Sequence, residues 1–158
     1  MNNPIRRVAV TGAAGYVGRI LLDRLDHDDG IETVLALDIR PTGRSYSSKI
    51  VFRLHDVTTP LPDLFYEHDV DSVVHLAFIL KPRHRRRPVD QVNVRGTRNI
   101  LEACSRSGVQ RLLYLSSTSV YGAHPDNPPL LTEKSPVRPI NGFQYSETKI
   151  ISESLLQE

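Results

Sequence analysis

The sequence predicts an α/β fold in which a doubly wound parallel sheet carries its strands in the order 3-2-1-4-5. Candidate strands alternate with helical stretches, and the strands are continuous apolar runs, as in a sheet that is covered on both faces. Right-handed crossovers between these strands then give the predicted order. The 158 residues, 39% of them hydrophobic, are enough for a core, and we expect one domain over residues 1–158.

Each element follows from its local pattern. Apolar runs predict strands at Arg7–Thr11, Thr33–Asp38, Ile50–Leu54, 72–77 and 111–116. Helical spacing predicts a helix over Tyr16–Asp26, a short helix or turn within 60–68, and a long helix over 89–107 that Gly108 ends. A last helix begins near Phe143 and still runs at Glu158, after a proline-rich connection over 120–141. The loops after the five strands are expected to line one crevice.

Composition excludes several classes of protein. A net charge of +2 is too small to indicate nucleic-acid binding. No apolar run is long enough for a leader or a membrane span, and the single Cys104 cannot form an intrachain disulfide, so a cytoplasmic protein is expected. The polar residues 27–30 are interpreted as a solvated helix end rather than a metal site.

A glycine-rich turn, TGAAGYVG at 11–18, follows the first strand. Gly12 allows the sharp turn, Gly15 allows a pyrophosphate to approach the backbone, and Gly18 lets the helix lie close to the sheet. Tyr16 and Val17 open that helix, whose free N–H groups and dipole favour phosphates. The turn therefore predicts a dinucleotide site.

Residues after the second and third strands are candidates for the adenosine half of the ligand. A carboxylate at Asp38 can accept hydrogen bonds from both ribose hydroxyls and repels a 2′-phosphate, which favours NAD over NADP. Arg40 complicates this preference because it could pair with that phosphate. Ile39 lies between them, and Asp56 and Val57 could reach the adenine.

Two later segments predict acid–base chemistry. Tyr145 and Lys149 are four residues apart, so on a helix they share one face. A nearby ammonium lowers the pKa of a phenol, which allows Tyr145 to take a proton from an alcohol as hydride leaves for the cofactor. Ser117, after the fifth strand, could hold the same hydroxyl. A surface pair with no role is the alternative interpretation.

The basic run at 81–87 leaves the fourth strand. Its interpretations, in order, are a solvated loop, a contact with a substrate diphosphate or the NAD phosphates, and nucleic-acid binding, which no aromatic platform supports.

Taken together, these motifs resemble the short-chain dehydrogenases/reductases, specifically the extended branch of NAD-dependent epimerases and dehydratases, which have a Rossmann fold. The resemblance covers the whole chain and rests on the glycine turn, Asp38, Asp56-Val57, HLA at 75–77, NVRGT at 93–97, LSSTSVYG at 115–122 and YSETK at 145–149. It implies that Ser117, Tyr145 and Lys149 are catalytic, with Lys149 also holding the nicotinamide ribose. It implies cofactor contacts from the residues at the end of the fourth strand, Leu76, Ala77 and Phe78, and from Asn93, which orders the site.

Departures from the family refine the expectation. Thr118 and Ser119 stand where 4,6-dehydratases carry Asp-Glu, which argues against that elimination, and Phe78 stands where many members have a small residue. Family members are about twice as long, so the substrate-binding part is expected to be absent and the chain inactive alone. The resemblance implies epimerisation of a nucleotide sugar, with a ketone or aldehyde reductase or a non-catalytic NAD-binding module as alternatives. It also implies a homodimer that forms through the helix at 89–107 and the last helix. Without a sixth strand, the edge of strand five is expected to be open, and association at that edge is the alternative.

Overall fold

The structure is a computed structural model that describes residues 4–61, 63–80 and 89–157. Its strands are β1 (Arg7–Thr11), β2 (Thr33–Asp38), β3 (Ile50–Leu54), β4 (Ser72–His75) and β5 (Arg111–Tyr114). Its helices are α1 (Tyr16–Asp26), α2 (Leu64–Glu67), α3 (Gly96–Ser107) and α4 (Gln144–Leu155). A π-helical turn, Gln91–Arg95, leads into α3, and a 3-10 turn, Thr118–Tyr121, follows β5.

All five strands are parallel and lie in the order β3-β2-β1-β4-β5, which confirms the predicted sheet. Val10 at the centre of β1 pairs with Ala36 on one side and with Val74 on the other. Because the carboxyl ends of parallel strands meet at one edge, the segments after β1, β2, β4 and β5 lie along the same side of the sheet.

The core has two layers because successive residues of a strand point to opposite faces. Ala9 belongs to a cluster with Phe65 and Ile100 on the side of α2 and α3. Val8 and Val10 belong to the opposite cluster, which includes Leu22 of α1. This two-sided burial explains why the strands are continuous apolar runs.

The first three strands and α1 have the predicted bounds, whereas four later bounds were wrong. β4 ends at His75 rather than residue 77, because the N–H groups of Leu76 and Ala77 both donate to the Thr11 hydroxyl. β5 ends at Tyr114 rather than residue 116, and the carbonyl of Leu115 accepts a hydrogen bond from a lysine side chain instead.

The two long helices differ from prediction at one end each. The stretch predicted as one helix over 89–107 contains the π-helical turn before α3, and Gly108 ends it in the left-handed conformation, as predicted. α4 ends at Leu155 rather than running on to Glu158, because the N–H groups of Leu156 and Gln157 bond to carbonyls three residues back.

An apolar groove of about 640 Å³ crosses the α1 side of the sheet over β1, β4 and β5. Its apolar lining includes Ile5, Val8, Leu21, Leu25, Val74 and Leu113. Leu113 of the outer strand β5 is 56% exposed. None of the helices that the structure describes has the length and apolar character needed to cross a bilayer.

Candidate active site

The glycine turn after β1 packs directly against the end of β4. Gly12 has φ +70°, a left-handed conformation that side chains disfavour. A Cβ at this position would lie 2.7 Å from both the Leu76 carbonyl carbon and the Ala77 nitrogen. Glycine is therefore required at position 12 both by the backbone angle and by the close approach of the segment that follows β4.

The other two glycines shape the start of α1. A Cβ at Gly18 would fall onto the carbonyl oxygens of Gly12 and Ala13, so this glycine lets the helix lie against the turn. Gly15 is the N-cap of α1, and no side chain caps the helix there, so the first-turn N–H groups are left for a ligand or solvent. A Cβ at Gly15 would meet only the Gly12 carbonyl oxygen, at 3.0 Å.

An open cleft of about 270 Å³ lies beside this helix start, lined by Ala14, Gly15, Tyr16, Arg19, Arg40 and Pro41. Tyr16 is 77% exposed and Val17 is also exposed. The cleft combines uncapped N–H groups with two arginines, a surface that suits an anionic ligand.

Asp38 braces the glycine turn from the end of β2. Its Oδ2 accepts a hydrogen bond from the Ala14 N–H at 3.0 Å, and its Oδ1 accepts one from the Arg40 N–H at 3.1 Å. The side chain is half-buried, and Ile39 beside it is exposed. Sequence reasoning placed Asp38 at this edge but missed its bond to Ala14, which lies 24 residues earlier.

Asp56 and Val57 have structural contacts after β3. The Asp56 carboxylate accepts hydrogen bonds from both the N–H and the hydroxyl of Thr58. Val57 is buried, and its Cγ2 would lie 2.7 Å from a Cβ at Gly96. Contact of these two residues with adenine stays a prediction.

A buried polar network joins β1, β4 and α3, and sequence reasoning missed it. His75 Nδ1 lies 2.6 Å from Thr11 Oγ1, and its Nε2 lies 3.1 Å from Thr97 Oγ1. Thr97 donates its hydroxyl proton to the Asn93 carbonyl, so His75 must donate from Nε2 and accept at Nδ1. Burial lowers the pKa of His75 to about 3, with the Lys149 charge acting in the same direction, so the ring is neutral.

Asn93 connects the segment after β4 to α4. Its Oδ1 accepts from the Ile79 N–H at 2.8 Å, and its Nδ2 donates to the Ile79 carbonyl and to Thr148 Oγ1, each at 3.2 Å. Its backbone carbonyl accepts from Ser152 Oγ at 2.9 Å. The side chain is fully buried in the π-helical turn, a type of turn found often at functional sites.

Tyr145 and Lys149 lie together on α4 beside the ends of β4 and β5. Lys149 Nζ donates to the Leu115 carbonyl at 2.6 Å and lies 6.0 Å from the Tyr145 ring centroid. The lysine is 4% exposed. Burial lowers its pKa to about 8, and Glu153 one turn later opposes that effect.

Ser117 is the N-cap of the 3-10 turn after β5, where its Oγ accepts from the Ser119 N–H at 3.2 Å. The neighbouring Ser116 donates to Glu153 of α4. The basic residues 81–87 lie outside the described residues. Across the described ranges, no group of three or more His, Cys, Asp or Glu side chains is arranged to hold a metal ion.

The parallel sheet, the glycine turn and the carboxylate at the end of β2 define a Rossmann-type α/β protein of the dinucleotide-binding class. A family model described as the NAD dependent epimerase/dehydratase family matches residues 8–158, and the chain belongs to that family. NAD is the cofactor of this family, which confirms the cofactor that the sequence predicted.

Individual relatives agree with this assignment. The chain is 33% identical to the UDP-glucose 4-epimerase of Azospirillum brasilense over 96% of its own length. It superposes with a TM-score of 0.78 and 31% identity on MoeE5 in complex with UDP-glucose and NAD, covering 94% of this chain. It superposes with a TM-score of 0.76 and 30% identity on a short-chain dehydrogenase/reductase superfamily protein from Agrobacterium tumefaciens with bound NAD, covering 96% of this chain.

The chain spans about half the length of these relatives: 44% of the epimerase, 47% of MoeE5 and 44% of the Agrobacterium protein.

Proposed function

We propose that this chain binds NAD in the cleft at the start of α1 and along the carboxyl edge of the sheet. The observation that carries the proposal is the uncapped start of α1 beside Gly15, with Asp38 fixed at the neighbouring strand end. The residues present fit a dinucleotide, because Gly12 and Gly15 have no side chain to block a pyrophosphate and the uncapped N–H groups of α1 can donate to it.

Each part of the cofactor has candidate partners. Gly12, Gly15, Tyr16, Val17 and Gly18 would hold the pyrophosphate. Asp38 would bind the adenosine ribose, with Ile39 and Arg40 beside it, and Asp56 and Val57 would lie near the adenine. The wall formed by Leu76, Ala77 and Phe78, the ordering residue Asn93, and the pair Tyr145 and Lys149 would lie toward the nicotinamide half.

The proposed reaction begins at a secondary alcohol. NAD supplies a hydride acceptor when it is bound. Tyr145 takes the hydroxyl proton, and the positive charge of Lys149 stabilises the phenolate that carries out this transfer. Ser117 orients the substrate hydroxyl with a hydrogen bond. The shared edge position of these side chains, after β5 and on α4, supports their assignment to one site.

We further propose a nucleotide sugar as the substrate and epimerisation as the reaction, in a protein that works as a homodimer. The A. brasilense relative is a UDP-glucose 4-epimerase, and MoeE5 is bound to UDP-glucose. Thr118 and Ser119 after Ser117 favour epimerisation over 4,6-dehydration. A ketone or aldehyde reductase would consume NADH and accumulate the alcohol and NAD, whereas an epimerase regenerates its cofactor in each cycle. Cofactor binding without turnover, in a form that includes a substrate-binding part, would favour the non-catalytic module.

Calorimetric titration of the chain with NAD and with NADP tests the proposed site. We expect NAD to bind more tightly, because the Asp38 carboxylate repels a 2′-phosphate. Asp38→Asn keeps an acceptor for the Ala14 N–H but removes the charge, so it should narrow the gap between the two cofactors. Tighter binding of NADP by the unmodified chain would contradict the predicted preference, and no binding of either cofactor would overturn the proposed function.

A further inference from the structure

Phe78 lies at the centre of a cluster of aromatic rings that surrounds the Lys149 ammonium. Lys149 Nζ is 3.5 Å from the centroid of the Phe78 ring and 4.5 Å from that of Tyr114. The Phe78 ring also meets the Tyr145 ring edge-to-face, with centroids 5.7 Å apart and planes at 90°. Of the described aromatic rings near Lys149, Phe78 has its centroid nearest to the ammonium, and it also contacts the Tyr145 ring.

Among the described residues, the ammonium has few other favourable partners. Its hydrogen bond to a described residue goes to the Leu115 carbonyl. Glu153 of α4 favours its charged form, whereas burial opposes it. His75 on β4 is neutral, and burial raises the pKa of Tyr114 on β5 to about 12, so neither ring carries an opposite charge. The face of an aromatic ring attracts a cation most strongly where water is excluded, as it is around this 4% exposed lysine.

We propose that Phe78 is a positioning residue for the Tyr145 and Lys149 pair: its ring face holds the ammonium beside Tyr145 while its contact with the Tyr145 ring fixes the phenol. The inference rests on the proposed function, in which these two side chains form the acid–base pair. The backbone that carries Phe78 is itself anchored, because Asn93 holds the next residue, Ile79, through both its N–H and its carbonyl.

The location of Phe78 gives this contact a chemical consequence. The ammonium must stay charged to stabilise the Tyr145 phenolate, but its burial favours the neutral amine. An aromatic ring face stabilises the charge without a carboxylate, so it adds no negative charge that would disfavour the phenolate. A leucine at this position would keep the apolar volume and lose the attraction.

The titration of Lys149 in the chain without cofactor tests this proposal. The sequence has four lysines, so selective 13C labelling of lysine Cε gives few signals, and Lys149→Arg assigns the one that matters. In Phe78→Leu we expect the Lys149 midpoint to fall by about half to one pH unit relative to the unmodified chain. Phe78→Tyr keeps the ring face and should restore the original midpoint.

Phe143→Leu is the matched control, because the Phe143 ring also contacts the Tyr145 ring, with centroids 5.8 Å apart, but is not among the described rings that lie over the Lys149 ammonium. It should leave the Lys149 midpoint unchanged. An unchanged midpoint in Phe78→Leu, or an equal fall in Phe143→Leu, would overturn the proposal.

A second measurement needs no variant. An ammonium held over a ring face carries its Cε protons into the shielding region of that ring, so their signals in the unmodified chain should lie upfield of those of the exposed lysines. Normal shifts for these protons would also overturn the proposal. Both readouts are independent of NAD, so failure here is distinguishable from failure of the proposed function, which the calorimetric titration reports.

Discussion

Two features of the structure require glycine at position 12, the left-handed backbone and the close approach of Leu76 and Ala77, and comparison with Gly43 separates them. Gly12→Ala should lower the free energy of unfolding through the left-handed backbone and through the clash with Leu76 and Ala77. Gly43 has almost the same angle, φ +69°, but nothing lies within 4 Å of a Cβ there. We expect Gly12→Ala to cost at least about 2 kcal/mol more than Gly43→Ala in urea unfolding, because only the first variant overpacks. Equal losses of unfolding free energy in the two variants would contradict the prediction that overpacking against Leu76 and Ala77 destabilises Gly12→Ala.

His75 should make the chain sensitive to acid. Its pKa is lowered to about 3 in the folded protein, against an ordinary value of 6.5, so between these values the unfolded chain binds the extra proton. Stability is therefore full above pH 6.5 and falls as the pH drops toward 3, with a slope of up to about 1.4 kcal/mol per pH unit.

His75→Gln should flatten this part of the pH profile, as measured by urea unfolding at a series of pH values. The exposed His27→Gln is the control and should keep the slope. His55, whose pKa burial also lowers, contributes in the same direction and is present in all three proteins. An undiminished slope in His75→Gln would refute the prediction.

The nearby contacts of single residues were visible in the sequence, but the distant ones were not. The sharp turn at Gly12 and the place of Asp38 at the end of the next strand follow from their spacing, and the structure brings both residues to one edge. The hydrogen bond from Ala14 to Asp38 spans 24 residues and was not predicted. The partners of His75 lie 64 and 22 residues away, so only the sheet register and the packing of α3 could disclose them. Thr11 and His75 pair across β1 and β4, and this shared register is the one signal that could have found the network.

At the scale of elements, hydropathy predicted the beginnings of strands better than their ends. The apolar run of β4 continues through Leu76 and Ala77, but their N–H groups turn to the Thr11 hydroxyl and leave the sheet ladder. The π-helical turn was not predicted for a similar reason. It contains Asn93, which accepts a hydrogen bond from the Ile79 N–H and donates one to Thr148, and local sequence does not encode these distant partners.

The packing of the π-helical turn against α4 should be stabilised by the Thr148 hydroxyl, which accepts a hydrogen bond from Asn93. Thr148→Val keeps the shape of the side chain but removes the acceptor for Asn93 Nδ2 in a buried site. We expect a loss of about 1–3 kcal/mol in unfolding free energy, measured in urea. Thr148→Ser retains the hydroxyl and is the control, and similar stabilities for the two variants would rule out a role for this bond.

At the scale of the molecule, the strand order was predicted completely because alternation of strands and helices leaves few right-handed arrangements. The apolar groove on the α1 side was not predicted. It depends on which face each helix covers, and a list of elements does not contain that information.

The apolar groove supports the prediction that copies of the chain associate with one another. Light scattering over a concentration series should show an average mass that rises with concentration, because exposed apolar surface and an outer strand favour contact between copies. Leu113→Lys should reduce this association. Leu130→Lys is the control, since Leu130 is 76% exposed but does not line the groove. A constant monomer mass in the unmodified chain would contradict the prediction.

The hydrogen bonds around His75 all point in one direction. Ala77 N–H donates to Thr11, Thr11 to Nδ1 of the ring, Nε2 to Thr97, and Thr97 to the Asn93 carbonyl. Dipoles aligned in this way polarise one another, so the chain of bonds strengthens as a unit. Removal of the Thr11 or the Thr97 hydroxyl should weaken the hydrogen bonds that remain. The losses of unfolding free energy in Thr11→Val and Thr97→Val should therefore add up to more than the loss in the double variant. The end of β1 and the beginning of α3 are thus energetically coupled through a single imidazole on β4.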